Sequence, residues 1–193
     1  MAKKKVILFL AEGFELIEAM IPIDYLRRAR AEVVTCSWNT ERKVTSAQKV
    51  TVLADQVITE LTDEQLKQAD LAVIPGGQPG ANNLMATKEI VTALQTINEQ
   101  EGLVAAICAG SLVLAEAGLL LGRRFTCYPG VEDSIEVGTH ENKLVIRDGN
   151  IITGKGPGAA MNFALELIRA LFDSRISNLI AETTFSNESL KSY

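Results

Sequence analysis

Histidine is nearly missing from this sequence: His140 is the only one in 193 residues. Cysteine is sparse too, with Cys36, Cys108 and Cys127 far apart and no CxxC pair. A Cys/His metal site therefore has too few ligands, and no metal or cofactor is expected. An odd, scattered set of thiols does not make a disulfide framework; it points to a reducing, cytoplasmic setting. Basic runs are absent beyond Lys3-Lys4-Lys5, so neither nucleic acid nor an anionic membrane surface is an expected partner. Long apolar runs are absent as well. Val6–Leu10 is too short for a signal-peptide core or a membrane span. Asn187-Glu188-Ser189 matches a glycosylation sequon, which carries no meaning without secretion.

What is present is core-forming residue. Hydrophobic residues make up 47% and charged residues 22%, with a net charge of −5, enough to build one large domain over residues 1–193. Apolar runs alternate with helical patterns. Val6–Leu10, Glu32–Trp38, Asp70–Ile74 and Leu103–Ile107 read as strands, the first as a central parallel strand buried on both faces and Asp70–Ile74 as another buried strand. Short strand-like pieces surround Val44 and Val50–Leu53, and Phe125–Tyr128 is strand-like before Pro129-Gly130. Leu144–Arg147 and Asn150–Thr153 form a hairpin around Asp148-Gly149. Helices are expected over Phe14–Ala29, kinked or restarted at Pro22, and over Asp63–Ala69 with Thr62 or Asp63 as cap. Others cover Lys88–Glu101 with Gly102 as the left-handed stop, Leu112–Leu120, Ala159–Phe172 and Arg175–Thr183. This alternation is that of a doubly wound α/β sheet with helices on both faces, whose sites lie at the carboxyl ends of strands.

Ala105-Ala106-Ile107-Cys108-Ala109-Gly110 is a strand, a tight turn and the start of a helix, with a thiol at the corner. Unpaired N–H groups at a helix start favour the thiolate. Local sequence leaves two readings open, a nucleophile or a small core thiol. Glu18, in the apolar company of Leu16-Ile17 and Ala19-Met20-Ile21, has its proton affinity raised if buried and then serves to move protons; taken alone, a solvated helix-face glutamate is the simpler reading. Pro75-Gly76-Gly77 lets backbone N–H groups face a crevice and hold an oxyanion. Gly154-Lys155-Gly156-Pro157-Gly158 is a glycine loop before a helix, either a substrate-facing loop or plain turn chemistry, and neither a Walker loop nor a Rossmann fingerprint. His140, in a polar loop, reads as exposed, and Cys36 and Cys127 as structural.

Four segments, Glu15-Leu16-Ile17-Glu18-Ala19, Ile74-Pro75-Gly76-Gly77, Ala105–Gly110 and Lys155–Gly158, stand in the order and spacing of the ThiJ/PfpI superfamily. The chain resembles its ThiJ-like branch, which contains the parkinsonism-associated protein deglycase, over about Lys4 to Phe172. The resemblance implies a flavodoxin-like sandwich, a homodimer and a nucleophile elbow at Cys108. It also implies a protonated Glu18 beside that thiol, and a backbone pocket of Gly77 and Ala109 with Gly76 adjoining. Departures from the family pattern narrow the chemistry. Ala109 stands where the protease-like branch has a histidine, which argues against peptidase action. Tyr128 stands where the eukaryotic deglycase has a histidine; it can donate a hydrogen bond but is a poor base. Lys155 and Gln48 replace basic residues of an anion pocket.

Two functions follow from this resemblance. One is a cofactor-independent enzyme acting on small dicarbonyls or glycated side chains through Cys108 and Glu18, with Tyr128 near by and Lys155, Gly156 and Pro157 facing substrate. The other is a redox-sensing stress protein or chaperone in which Cys108 oxidises to sulfinate.

Overall fold

The computed structural model describes residues 3–189; the remaining terminal residues of the expected 1–193 domain lie outside them. β1 (Lys5–Leu10) and β2 (Glu32–Ser37) run parallel, from Lys5 beside Glu32 to Leu10 beside Ser37, and are joined by α1 (Leu16–Arg28). β3 (Lys43–Thr45) and β4 (Thr51–Leu53) form a small hairpin outside the main sheet, and β5 (Gln56–Val57) extends its edge. After α2 (Asp63–Lys67), β6 (Leu71–Ile74) pairs with the other side of β1. α3 (Gly80–Ala86) and α4 (Lys88–Glu99) carry the chain to β7 (Leu103–Ile107), and α5 (Ser111–Glu116) leaves it. The short strands β8 (Arg124–Phe125) and β9 (Thr139–His140) pair with each other. The hairpin of β10 (Val145–Asp148) and β11 (Ile151–Gly154) returns to the sheet, and α6 (Ala160–Leu171), α7 (Ser174–Thr183) and α8 (Ser186–Ser189) end the chain.

Among the described residues the main sheet has seven strands in the order β10-β11-β7-β6-β1-β2-β5, with β10 antiparallel to its neighbour. Strand periodicity divides the core in two. Val6, Leu8 and Leu10 face the layer of α1, α6 and α7, whereas Ile7 and Phe9 face the layer of α2 to α5. The chain first winds one way from β1 to β2 and then crosses back to β6. The carboxyl ends of β1 and β6 therefore flank a topological switch point, where α/β sheets place their sites.

The sandwich matches the fold expected from sequence, with local corrections. α1 runs unbroken through Pro22, which is buried in its interior. The missing N–H forfeits one bond to the Glu18 carbonyl, and packing of α1 on β1 and α6 outweighs that loss. The left-handed residue ending α4 is Glu101 (φ 60°), not Gly102. Gly102 donates its N–H to the Ile97 carbonyl at 2.9 Å, and a side chain there would meet Ile97 and the Ala69 carbonyl. α3 went unread in the sequence, and the strand expected over Phe125–Tyr128 is confined to Arg124–Phe125.

Candidate active site

β7 is extended up to Ile107 (φ −131°), and the next residue reverses the chain. Cys108 has φ 62°, a left-handed conformation that costs a residue with a β-carbon about 1–2 kcal/mol. It starts a single 3-10 turn, Cys108–Gly110, from which α5 rises. The turn is pressed onto the end of β6: a side chain at Gly110 would lie 2.7 Å from the Ile74 carbonyl. This is a strand-to-helix elbow with the thiol at its apex, and Cys108 is only 8% exposed.

Glu18 comes from the first turn of α1 and has no exposed surface. Two side chains fix the start of that helix. Glu15 caps it by accepting the Glu18 N–H at 2.9 Å, and Gln48 accepts the Leu16 N–H at 3.0 Å. Gln48 is thus a capping residue from the β3–β4 turn. The Glu18 carboxyl reaches across the switch point, and its Oε2 accepts the Gly76 N–H at 2.9 Å. Its Oε1 is buried and meets no donor at hydrogen-bonding geometry among the described residues. Gly76 must be glycine, because a β-carbon there would lie 2.7 Å from both Cys108 Cβ and Glu18 Oε2, and 2.9 Å from Ala109 N. Gly77 (φ 89°) lies under the β1–α1 loop, where a side chain would strike Glu15 N and the Gly13 carbonyl.

Burial is the largest influence on both ionisable groups. It pushes the Glu18 carboxyl up to about 7, opposed by the Cys108 thiol and the Gly76 N–H and assisted by the charge of Glu15. It also pushes the Cys108 thiol up to about 12, with an ionised Glu18 adding to the rise and the N–H groups of Ala109 and Gly77 opposing it. The expectation that the helix start alone favours the thiolate is therefore corrected: desolvation outweighs two backbone dipoles. Once the Glu18 carboxyl is protonated its charge repulsion vanishes and its hydrogen bond to Cys108 reverses in effect, because a carboxylic acid donates to a thiolate. The two groups titrate as one coupled pair.

The expected pocket of Gly76, Gly77 and Ala109 is assembled, with one change of role. The Gly76 N–H is committed to Glu18, leaving Gly77 and Ala109 to face the sulfur. The remaining candidates form a separate rim. Tyr128, Lys155, Gly156 and Pro157 line one surface pocket with Leu144. Tyr128 is half exposed, and its ring lies where a Gly156 side chain would sit, 3.1 Å away. Among the described residues no hydrogen bond joins it to Cys108 or Glu18. The Lys155 ammonium is held by Asn142 Oδ1 at 2.6 Å.

The sequence matches the model of the DJ-1/PfpI family over residues 4–170. The chain belongs to the DJ-1/PfpI family. This DJ-1/PfpI chain is 32% identical to the Parkinson disease protein 7 homolog of Danio rerio, over 92% of its own length and 94% of the relative's. It is likewise 32% identical to the glutathione-independent glyoxalase DJ-1 of Schizosaccharomyces pombe, over 85% and 89% of the two chains. Among solved structures, Drosophila melanogaster DJ-1beta superposes with a TM-score of 0.90 at 31% identity, covering 95% of this chain and 98% of the other. Oxidized Toxoplasma gondii DJ-1 gives 0.88 at 34%, covering 98% and 100%.

One cluster in this DJ-1/PfpI member went unseen in the sequence. His140 is half-buried on β9, with its ring centroid 5.6 Å from that of Phe125, instead of in an exposed loop. Beside it stand Cys127 and Glu132. Counting only cysteine and histidine as ligands hid the group, since its third member is a carboxylate. Cys36 is buried, and burial pushes its thiol up to about 12.

Proposed function

We propose that this protein is a cofactor-independent cysteine enzyme that converts reactive dicarbonyls to hydroxy acids. The observation that carries the reading is the open Oε1 of a fully buried glutamate beside the elbow thiol. The relatives from Caenorhabditis elegans and Schizosaccharomyces pombe, each named as a glutathione-independent glyoxalase, support it.

With methylglyoxal, Cys108 Sγ adds to the aldehyde carbon while Glu18 takes the thiol proton at Oε1. Glu18 passes that proton on to the aldehyde oxygen, giving a hemithioacetal and freeing the carboxylate, with the Ala109 and Gly77 N–H groups steadying the oxyanion. Glu18 then moves the proton from the former aldehyde carbon to the neighbouring carbonyl carbon, while the new hydroxyl's proton passes to that carbonyl's oxygen. The electron pair stays within the substrate, which becomes a thioester of lactic acid. Water cleaves the thioester, releasing lactate and the free thiol. The sum is one dicarbonyl plus one water, with no outside oxidant or reductant. Deglycation of an early glycated side chain is the same chemistry on a larger substrate. Tyr128 and the Lys155–Pro157 loop form the rim that meets it. The setting is a reducing cytoplasm and the working form a homodimer.

The test is lactate formation from methylglyoxal without glutathione, followed by NMR. Wild type is expected to form lactate and Cys108→Ala none; equal rates, or no product from either, refute the proposal.

The open Oε1 also favours a second reading. A protonated Glu18 would donate to Cys108 sulfinate formed by two successive peroxide oxidations, making the thiol a redox sensor of a stress protein or chaperone. Mass spectrometry after mild peroxide should find oxidation confined to Cys108; even oxidation of Cys36, Cys108 and Cys127 counts against a tuned sensor.

A further inference from the structure

Cys127, Glu132 and His140 come from different pieces of the excursion between α5 and β10. Cys127 follows β8, Glu132 opens the 3-10 turn Glu132–Ser134, and His140 lies on β9. The three offer a sulfur, a carboxylate oxygen and an imidazole nitrogen that all lie within 4.8 Å of one another. Cys127 Sγ is 3.7 Å from Glu132 Oε2, and His140 Nδ1 is 4.0 Å from Glu132 Oε1. Ligands of a tetrahedral ion bound at about 2.0–2.3 Å stand roughly 3.3–3.8 Å apart. The Cys127–Glu132 pair already stands in that range, the Glu132–His140 pair lies just beyond it, and the Cys127–His140 pair, at no more than 4.8 Å, needs to close by up to about 1 Å.

The backbone holds two of the three ligands, His140 and Glu132. The Thr139 and Glu141 N–H groups bond to the Arg123 and Phe125 carbonyls at 2.8 Å, fixing His140 from both sides. The Gly130 N–H donates to Glu132 Oε2 at 2.7 Å, which aims that carboxylate at Cys127. Cys127 is 1% exposed, while the Glu132 and His140 side chains keep 30% and 28% of their surface. The cluster thus has a buried thiol at its base and an opening on the carboxylate–imidazole side.

We propose that Cys127, Glu132 and His140 bind a borderline divalent cation of the Zn²⁺ class, separate from the Cys108 centre. A thiolate, an imidazole and a carboxylate suit zinc; hard Mg²⁺ and Ca²⁺ favour all-oxygen sites. Binding forms three bonds to the metal, releases the thiol proton to solvent, and leaves a fourth position for water. One thiolate and one carboxylate neutralise the ion. Bound there, it staples β8 to β9 and steadies Tyr128, the residue next to Cys127, on the rim pocket.

The probe is Co²⁺ titrated into the full chain, with Zn²⁺ as competitor. Wild type and Cys108→Ala are both expected to bind one equivalent, with a thiolate-to-cobalt charge-transfer band and the intensified visible bands of a tetrahedral centre. Cys127→Ser should lose the charge-transfer band, and His140→Gln should weaken binding by about tenfold or more. Zn²⁺ should raise the thermal midpoint of Cys108→Ala but not that of His140→Gln, whose Cys127 and core remain intact. The proposal is overturned if no band forms in wild type and Cys108→Ala. It is equally overturned if the band survives in Cys127→Ser and disappears in Cys108→Ala, which would place the metal on the elbow thiol.

Discussion

Replacing Glu18 by glutamine should stabilise the fold, and more so as pH rises. The carboxyl goes from 4.5 in the open chain to about 7 in the folded protein, chiefly through burial. Between those values the folded state keeps a proton that the unfolded chain has released, so the wild type loses stability as pH climbs. At about 1.4 kcal/mol for each tenfold change in proton affinity, the full penalty above pH 7 is of the order of 3 kcal/mol. Below 4.5 both states hold the proton and the penalty vanishes. Glutamine keeps an oxygen for the Gly76 N–H, points an N–H₂ group toward the thiol and never ionises. In urea denaturation, the advantage of Glu18→Gln over wild type should grow by about 2–3 kcal/mol between roughly pH 5 and pH 8. An advantage that is independent of pH, or larger in acid, would refute a buried carboxyl with raised proton affinity.

Other consequences follow from the same geometry. Because Cys108 has φ 62°, Cys108→Gly should be more stable than Cys108→Ala by about 1 kcal/mol in denaturant melts, with both inactive. Gly76→Ala drives a β-carbon to 2.7 Å from Cys108 Cβ and Glu18 Oε2; it should cost about 1–3 kcal/mol of stability and remove lactate formation. Tyr128→Phe should lower kcat/KM by less than about tenfold, below the roughly hundredfold or greater loss of a true acid–base group. In wild type kcat/KM should fall as pH drops through about 7, where Glu18 ceases to be a base, and Glu18→Gln should lose that limb.

The sandwich was legible wherever an apolar run met a clear stop. Leu103–Ile107 lies between Gly102 and the elbow, and its strand has those bounds. α3 escaped notice because it is only seven residues long, opens on Gly80 and carries Asn82-Asn83, and its position is set by burial of Ala81 and Leu84. Glu18, Gly76, Gly77 and Cys108 were named from sequence because each sits at a strand end or first helical turn, where the fold class concentrates chemistry, whereas Ala109 came from the family resemblance. What sequence could not show was how a single N–H is spent: Gly76 orients Glu18 and is not free for an oxyanion. The Cys127–Glu132–His140 cluster was hidden because it depends on the pairing of Phe125 with His140 in a two-residue strand.

The central claim is that Cys108 and Glu18 share a proton and that this sharing sets the reactivity of the thiol. Alkylation of Cys108 with iodoacetamide across pH, with the modified peptide quantified by mass spectrometry, tests it most directly. In wild type the rate should rise in a step near 7, where the pair gives up its first proton, and Glu18→Gln should lack that step. A single step at the free-thiol value of about 8.5, identical in both proteins, would contradict the account.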